Sequence, residues 1–242
     1  KLSSIGDAAP SIISVDYRGR GTSDRSADPA TYTIGMEAQD LVLLLDHLQI
    51  RQACFIGTSR GGLILHILTG FAPERIGGVI FNDAGPALEV QGLRDIQSYL
   101  ARAPDLTAWS EAVRHLKSVH GSSFPALQEE DWQDLARSVY VERDGRITAD
   151  CDPAISQAFA AMPLDGPLPD LWALFDQFAD VPMMVIRGEY STLLSEDTVR
   201  EMRTRRPRLQ AVPAEGQGHA PLLHVDPLAS RISEFLGSDG LA

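Results

Sequence analysis

The residues with the clearest chemical potential form a Gly-x-Ser-x-Gly pentapeptide at 57–61. A short apolar run that could be a buried strand precedes it, and a helix-like apolar pattern follows it. A serine between a strand and a helix lies on a sharp turn that presents its hydroxyl as a nucleophile, so Ser59 is the candidate nucleophile. Gly57 and Gly61 are expected to let strand and helix approach closely. The backbone N–H of Arg60, at the helix N-terminus, is the candidate donor to a developing oxyanion.

The elements that must position this serine alternate between strands and helices. Apolar runs predict strands at 11–15, 53–56, 76–83, 181–188 and 209–212. Helical periodicity predicts helices at 32–50, 63–68, 195–206 and 226–236. This alternation predicts right-handed crossovers and a parallel sheet whose functional residues follow the C-terminal ends of the strands. Between the predicted strands 76–83 and 181–188 the pattern is helical, with predicted helices at 90–103, 108–120, 130–141, 153–161 and 168–178.

A glycine-rich turn makes the pattern more specific. Residues 16–24, Asp-Tyr-Arg-Gly-Arg-Gly-Thr-Ser-Asp, resemble the D-x-R-G-x-G-x-S signature that follows the fourth strand in α/β-hydrolase-fold proteins. With the pentapeptide and the loop at 216–221, the resemblance covers nearly the whole chain and includes serine esterases and C–C hydrolases with a helical cap. It implies a mostly parallel sheet flanked by helices, with the cap inserted after the family's sixth strand. The implied boundaries are 1–86 and 179–242 for the core and 87–178 for the cap.

The resemblance also implies a histidine base near the C-terminus, since the family's order is serine, acid, histidine. His219 fits, because it lies in Gly-Gln-Gly-His between a predicted strand and the last predicted helix. Its glycines would let the loop bend the imidazole over Ser59. His224 is the alternative base. The remaining histidines are expected to be surface or packing residues: His47, His66, His115 and His120.

The acid is harder to assign. The family's usual position, after the seventh strand, is Ser191 here, and the next residue is Thr192. A hydroxyl cannot supply the negative charge at neutral pH. Asp83, at the end of the strand that neighbours the nucleophile strand in the family's sheet, is the best replacement, and Glu189 is the next candidate. Ser191 is then expected to support the site by hydrogen-bonding the same carboxylate or the imidazole.

A second oxyanion N–H in the family comes from a His-Gly loop after the third strand. The resemblance therefore implies that strands 1 to 3 and this loop, on the order of 50 residues, are missing upstream of Lys1. Arg60 stands where relatives often carry an apolar residue. We expect its side chain to bond the cap, with contact to an anionic substrate as the alternative.

These residues predict a serine hydrolase of the carboxylesterase type. His219 would deprotonate Ser59, which attacks an ester-like carbonyl of a carboxylic ester, thioester or lactone, and water would release the acyl group. Asp83 would orient the imidazole. One alternative is C–C bond hydrolysis or enol-lactone opening by the same residues. Another is a catalytically weakened, ligand-binding module. No metal or organic cofactor is expected.

The composition restricts the partners. A formal net charge of −12 argues against nucleic acid or an anionic membrane surface, because an acidic protein repels phosphates. The two cysteines, Cys54 and Cys151, argue against a disulfide framework and fit a reducing compartment. No stretch approaches 18 continuous apolar residues, and no leader pattern begins the sequence. These features predict a cytoplasmic protein that acts on a small molecule, and they leave homo-oligomerisation open.

Overall fold

The computed structural model describes residues 11–100, 104–168 and 170–237. Within these ranges the strands are β1 (Ala53–Thr58), β2 (Ile76–Asn82), β3 (Tyr140–Arg143), β4 (Arg146–Ala149), β5 (Met183–Gly188) and β6 (Gln210–Ala214). The α-helices are α1 (Ile34–His47), α2 (Arg60–Thr69), α3 (Val90–Leu100), α4 (Trp109–His120), α5 (Glu129–Val139), α6 (Pro153–Ala160), α7 (Trp172–Phe175), α8 (Glu196–Arg205) and α9 (Leu228–Gly237). Short 3₁₀ turns cover Pro29–Thr31, Pro73–Arg75 and Gly121–Ser123.

A parallel sheet in the order β1-β2-β5-β6 lies at the centre of the described chain. At its C-terminal edge Thr58 is paired with Asn82, which is paired in turn with Ile186. The residues that follow β1 and β2, Ser59 and Asp83, therefore leave the sheet side by side. The predicted α/β class with a mostly parallel sheet is confirmed.

Both faces of the sheet are buried, because alternate side chains of a strand point in opposite directions. Phe81 and Val185 pack against α1 and α2 in one apolar cluster. Ile80 and Ile186, one residue along each strand, pack against α9 in another. Removing large apolar side chains from water contributes about 1.5–3 kcal/mol each. This two-sided burial explains why β2 and β5 are nearly continuous apolar runs.

The segment at 87–178, called the helical segment below, has a small apolar cluster of its own. Trp132 of α5 and Ile147 of β4 are buried in it, and Leu222 from the loop after β6 packs against it. Phe175 of α7 packs instead with α2 in the sheet's cluster. The last helix before β5 therefore packs with the core, although the predicted boundary assigned it to the cap.

One predicted strand is wrong. Residues 11–15 were expected to form an interior strand, but they pair with no strand in the described chain. The side chains of Ile12 and Ile13 are 59% and 48% exposed. An apolar run becomes a strand only where a neighbour accepts its backbone hydrogen bonds, and β1, the strand at this edge, pairs only with β2 within the described residues. Ile56 of β1 is accordingly 40% exposed.

The helical segment also differs from its prediction. Helix 168–178 is reduced to the single turn of α7, and the end of the predicted helix 90–103 lies outside the described residues. The antiparallel hairpin of β3 and β4 was not predicted. Its turn is Asp144-Gly145, and both residues have positive φ, 51° and 72°. Asp-Gly is typical of such a two-residue turn, so the signal was present between two short alternating runs.

None of the helices in the described ranges is long and apolar enough to cross a membrane.

Helix α2 carries a buried ionisable group, His66, which packs against the rings of Phe81, Phe175 and Phe178. The His66 Nδ1–H donates to the Gly62 carbonyl at 2.7 Å, and its Nε2 has no partner in the described chain. Burial lowers the pKa of His66 to about 4, partly opposed by the Gly62 carbonyl. The ring is therefore neutral in the folded protein at neutral pH.

We expect the His66→Phe variant to be less sensitive to acid than the wild type. As the pH falls from 6.5 towards about 4, the unfolded state protonates this ring and the folded state does not, so stability is lost across that window. At about pH 5 the wild type should lose about 2 kcal/mol through this group. Urea unfolding at about pH 7 and about pH 5 measures the difference. The exposed His47, changed to Gln, is the control, and equal pH dependence in His66→Phe and wild type would contradict the assignment.

Candidate functional site

Ser59 occupies a strained turn between β1 and α2. Its φ and ψ are 49° and −113°, outside the conformations that a serine prefers. The Ser59 N–H donates to the Asn82 carbonyl at 2.9 Å, which continues the β1–β2 ladder by one residue. The hydroxyl consequently stands at the C-terminal edge of the sheet, at the start of α2, as the sequence predicted.

The glycines around this turn have different roles. A Cβ on Gly57 would lie 2.8 Å from backbone atoms of both Gly61 and Gly62, so β1 and α2 could not approach as they do. A Cβ on Gly62 would overlap the Cβ of Ala84, just beyond β2. A Cβ on Gly61 would meet only the Tyr17 hydroxyl, at 3.9 Å. Gly57 therefore has the role that the sequence suggested, whereas Gly62 takes the place expected of Gly61.

Three side chains distant in sequence form a continuous hydrogen-bonded chain. Ser59 Oγ lies 2.8 Å from His219 Nε2, and His219 Nδ1 lies 2.7 Å from Asp83 Oδ2. Because a carboxylate accepts hydrogen bonds, Nδ1 carries the proton that is donated to Asp83, and Nε2 is left to accept from the serine hydroxyl. The His219 side chain is 13% exposed and that of Asp83 is fully buried. This arrangement can take a proton from Ser59 while holding the imidazole in one tautomer.

The carboxylate of Asp83 is held from several sides. Besides His219, the Ser191 hydroxyl donates to Oδ2 at 2.6 Å, and the Gly188 N–H donates to Oδ1 at 2.9 Å. The Ser191 oxygen in turn accepts from the backbone N–H of Leu194 at 3.1 Å, which orients the hydroxyl. Asp83 itself has a positive φ of 51°. Ser191, which occupies the family's usual acid position, thus donates a hydrogen bond to the carboxylate of Asp83.

Asn82 connects the histidine loop to the sheet, a role that sequence reasoning missed. Its buried amide donates to the Pro221 carbonyl at 3.0 Å and to the Thr58 hydroxyl at 3.1 Å. The first bond fixes the chain two residues after His219, and the second joins β2 to β1. A polar residue at the end of an apolar strand, directly before Asp83, was the available signal.

The alternative residues are engaged elsewhere. The carboxylate of Glu189 accepts from the Gly216 N–H at 2.7 Å. Thr192 donates from its hydroxyl to Asp95 at 2.8 Å. His224 Nε2 lies 2.9 Å from a carboxylate oxygen of Asp131 in α5. The described contacts therefore join Asp83 and His219 to Ser59. They do not join Glu189, Thr192 or His224 to it.

Arg60 has a different partner from the one expected. Its guanidinium donates to the buried carboxylate of Glu37 in α1 at 2.8 Å and to the Tyr32 carbonyl at 3.1 Å. It was expected to bond the helical cap. Arg20 donates to the other oxygen of Glu37 at 2.9 Å, so a fully buried carboxylate is paired with two arginines. Glu37 needs the two arginines because an unpaired buried charge is costly.

Burial and the nearby Glu37 also raise the pKa of Tyr17 to about 12.

The helical segment is attached to the core through the histidine loop and through the glycine-rich turn. The Ala126 N–H donates to the Gly216 carbonyl at 3.1 Å, beside the histidine loop. At the glycine-rich turn, the Gly21 N–H donates to the Asp150 carbonyl at 3.0 Å. The Tyr32 hydroxyl adds a 2.7 Å bond to the side chain of Asp152. No group of three or more His, Cys, Asp or Glu in the described residues is arranged to hold a metal ion.

Comparison with known proteins gives a consistent match. A family model described as alpha/beta hydrolase fold matches residues 11–224. The solved structure of an alpha/beta hydrolase from Novosphingobium aromaticivorans superposes with a TM-score of 0.83 at 36% identity, covering 91% of this chain and 78% of that one. The shared architecture therefore includes both the sheet and most of the helical segment.

Two curated relatives are also similar. The 3-hydroxybutyrate-oligomer hydrolase of Cupriavidus necator is 28% identical over 222 residues, which is 89% of this chain and 75% of the relative. The 3-oxoadipate enol-lactonase 2 of Acinetobacter baylyi is 32% identical over 180 residues, which is 73% of this chain and 60% of the relative. The similarity is thus to hydrolytic enzymes.

The elbow glycines provide a matched pair of variants. We expect Gly62→Ala to lose about 1–3 kcal/mol of unfolding free energy, because its methyl group would overlap Ala84 in a packed core. Gly61→Ala should lose nothing and gain up to about 1 kcal/mol, because alanine favours a helix and the site has room. Urea denaturation of both variants measures this difference. Similar losses in the two variants would contradict the assigned contacts.

Proposed function

The chain belongs to the α/β-hydrolase fold family, and we propose that it is a serine hydrolase that cleaves an ester-like bond through an acyl-enzyme on Ser59. The observation that carries the proposal is the unbroken hydrogen-bonded chain from Ser59 through His219 to Asp83. A hydroxyl, an imidazole and a buried carboxylate in this order are the components of nucleophilic acyl transfer. The relatives support hydrolysis as the reaction class.

In the proposed mechanism, His219 Nε2 takes the Ser59 proton as the hydroxyl oxygen attacks the substrate carbonyl. Asp83 stabilises the imidazolium that forms and keeps its Nδ1–H directed at the carboxylate. The Arg60 N–H, in the first turn of α2, donates to the oxyanion of the tetrahedral intermediate. His219 then protonates the leaving group, and a water molecule, activated by the same imidazole, releases the acyl group.

The helical segment is proposed to act as the cap over this site, with boundaries at 87–178 and α7 serving the core by packing. The support is its contact with the histidine loop. A Cβ on Gly218, the residue before His219, would lie 2.9 Å from the Cβ of Ser123. In this proposal a substrate binds between the helical segment and the C-terminal edge of the sheet.

The substrate class follows from the chemistry that the relatives share. An enol-lactone is a cyclic ester, and hydroxy acids form oligomers through ester bonds. Both are ester hydrolyses, and a serine nucleophile with a neighbouring base, as proposed for this site, can catalyse such reactions. We therefore propose carboxylic esters, including lactones, as the first substrates to test, with thioesters as chemically equivalent candidates.

The alternatives receive less support. An anionic substrate of a C–C hydrolase would benefit from a free cation beside Ser59, but the Arg60 guanidinium is bound to Glu37. A binding module with a weakened site was suggested in part by the hydroxyl at the usual acid position. Asp83 supplies a carboxylate within hydrogen-bond distance of His219, which removes that reason. The binding module is nevertheless an outcome that the first experiment below can identify.

Labelling with a fluorophosphonate probe tests the nucleophile. The wild type should form a covalent adduct on Ser59, because His219 accepts its proton and the probe traps the activated oxygen. Ser59→Ala should not be labelled, and Ser110→Ala, in α4, should be labelled like the wild type. Intact-mass and peptide mass spectrometry locate the adduct. A folded wild type that resists the probe and hydrolyses no ester would indicate a binding module.

A pair of carboxylate-to-amide variants tests the acid. We expect Asp83→Asn to lower kcat for a p-nitrophenyl ester by roughly 100-fold or more, since an amide cannot stabilise the imidazolium. Glu189→Gln keeps an oxygen that can accept from Gly216, so its kcat should change by less than about 3-fold. Steady-state kinetics of both variants give the ranking. The reverse ranking would transfer the role of the acid to Glu189.

A further inference from the structure

Two aromatic residues of the helical segment lie close to the histidine loop. Tyr99 is near the end of α3 and His120 is the last residue of α4, and their rings meet edge to face with centroids 5.0 Å apart. His120 also contacts Phe124, at 6.3 Å between centroids. Phe124 touches the loop, since a Cβ on Gly218 would lie 3.3 Å from its ring. The Tyr99–His120 pair is therefore linked to the residue before the proposed base through one ring.

The polar atoms of this pair have no hydrogen-bond partner among the described residues. They are not fully buried, however. The fully buried side-chain polar atoms without a partner in the described chain belong to His66, Thr69, Arg75 and Asn82. The Tyr99 hydroxyl and the His120 nitrogens therefore keep some solvent exposure although both side chains are partly buried. A polar group that is partly shielded from water and has no partner in the described protein favours a ligand that can pair with it.

The electrostatics of the pair restrict that ligand. Burial raises the pKa of Tyr99 to about 12. Burial, together with the fields of His115 and His219, lowers the pKa of His120. Both rings are therefore neutral near pH 7, and no lysine or arginine of the described ranges contributes to either shift. A hydroxyl or a carbonyl of a ligand could bond to these neutral donors and acceptors.

We propose that Tyr99 and His120 bind an uncharged polar substituent of the substrate, a hydroxyl or a second ester carbonyl, close to the bond that Ser59 attacks. The inference rests on the proposed function and narrows it to esters of hydroxy acids. A site built to hydrogen-bond a substrate hydroxyl discriminates against the analogue that lacks it, because the protein's polar atoms are then left unpaired. The preference should therefore reside in these two side chains.

Ethyl 3-hydroxybutyrate and ethyl butyrate, which differ by one hydroxyl, test the proposal. In the wild type kcat/KM should be about tenfold or more higher for the hydroxy ester. Tyr99→Phe and His120→Phe each keep a ring and remove the polar atoms. Each should lower the ratio of the two kcat/KM values by about tenfold, through the hydroxy ester alone. Ester turnover is measured by proton release.

Matched controls separate recognition from folding. Tyr140→Phe removes a hydroxyl elsewhere in the helical segment and should leave the ratio unchanged. Each variant should react with the fluorophosphonate at the wild-type rate, which shows that Ser59 and His219 are intact. Equal kcat/KM for the two esters in wild type and variants overturns this inference and leaves the proposed function standing. Absence of turnover and of labelling in the wild type overturns the proposed function, and this inference with it.

Discussion

The buried carboxylate of Asp83 is the group around which the site is organised. It has no contact with water and accepts from an imidazole, a hydroxyl and a backbone N–H. A buried carboxylate is tolerated only when its oxygens are paired. Loss of any one donor would therefore leave the carboxylate less well paired. The donors come from two separate parts of the chain: Gly188 ends β5 and Ser191 follows it closely, whereas His219 lies beyond β6. The carboxylate thereby fixes the relative positions of all three.

Hydrogen bonds fasten the helical segment to the core at several places. One attachment is beside Gly216 in the histidine loop, where the contact between His224 and Asp131 adds to it. Another joins Asp150 and Asp152 to residues of the glycine-rich turn and to Tyr32. A third joins Asp95 of α3 to Thr192 after β5, so the segment is held against the core along much of its length. Its shape is then set by packing within its own apolar cluster.

Local signals predicted much of this architecture from the sequence. The turn at Ser59 was predictable because its glycines and flanking periodicities are adjacent in the chain. Asp83 could be proposed because parallel strands end at one edge of a sheet. The contacts of Asn82 and Gly62 escaped prediction, since they depend on which residue of another element comes near. The apolar run at 11–15 was assigned as a strand on hydrophobicity alone, although a ladder also requires a partner. The roles of the site residues in catalysis remain predictions.

Ser59 and Asp83 stand at the ends of strands joined by a single ladder, whose final rung is the bond from the Ser59 N–H to the Asn82 carbonyl. Slippage of that pairing by two residues would preserve the inward and outward alternation of both strands while displacing Asp83 by about 6.6 Å. Such a molecule could be compact and have native-like secondary structure, yet the hydrogen-bonded chain from Ser59 through His219 to Asp83 would be broken. The reactivity that we propose for Ser59 would therefore distinguish native molecules from misfolded ones that spectroscopy would count as folded.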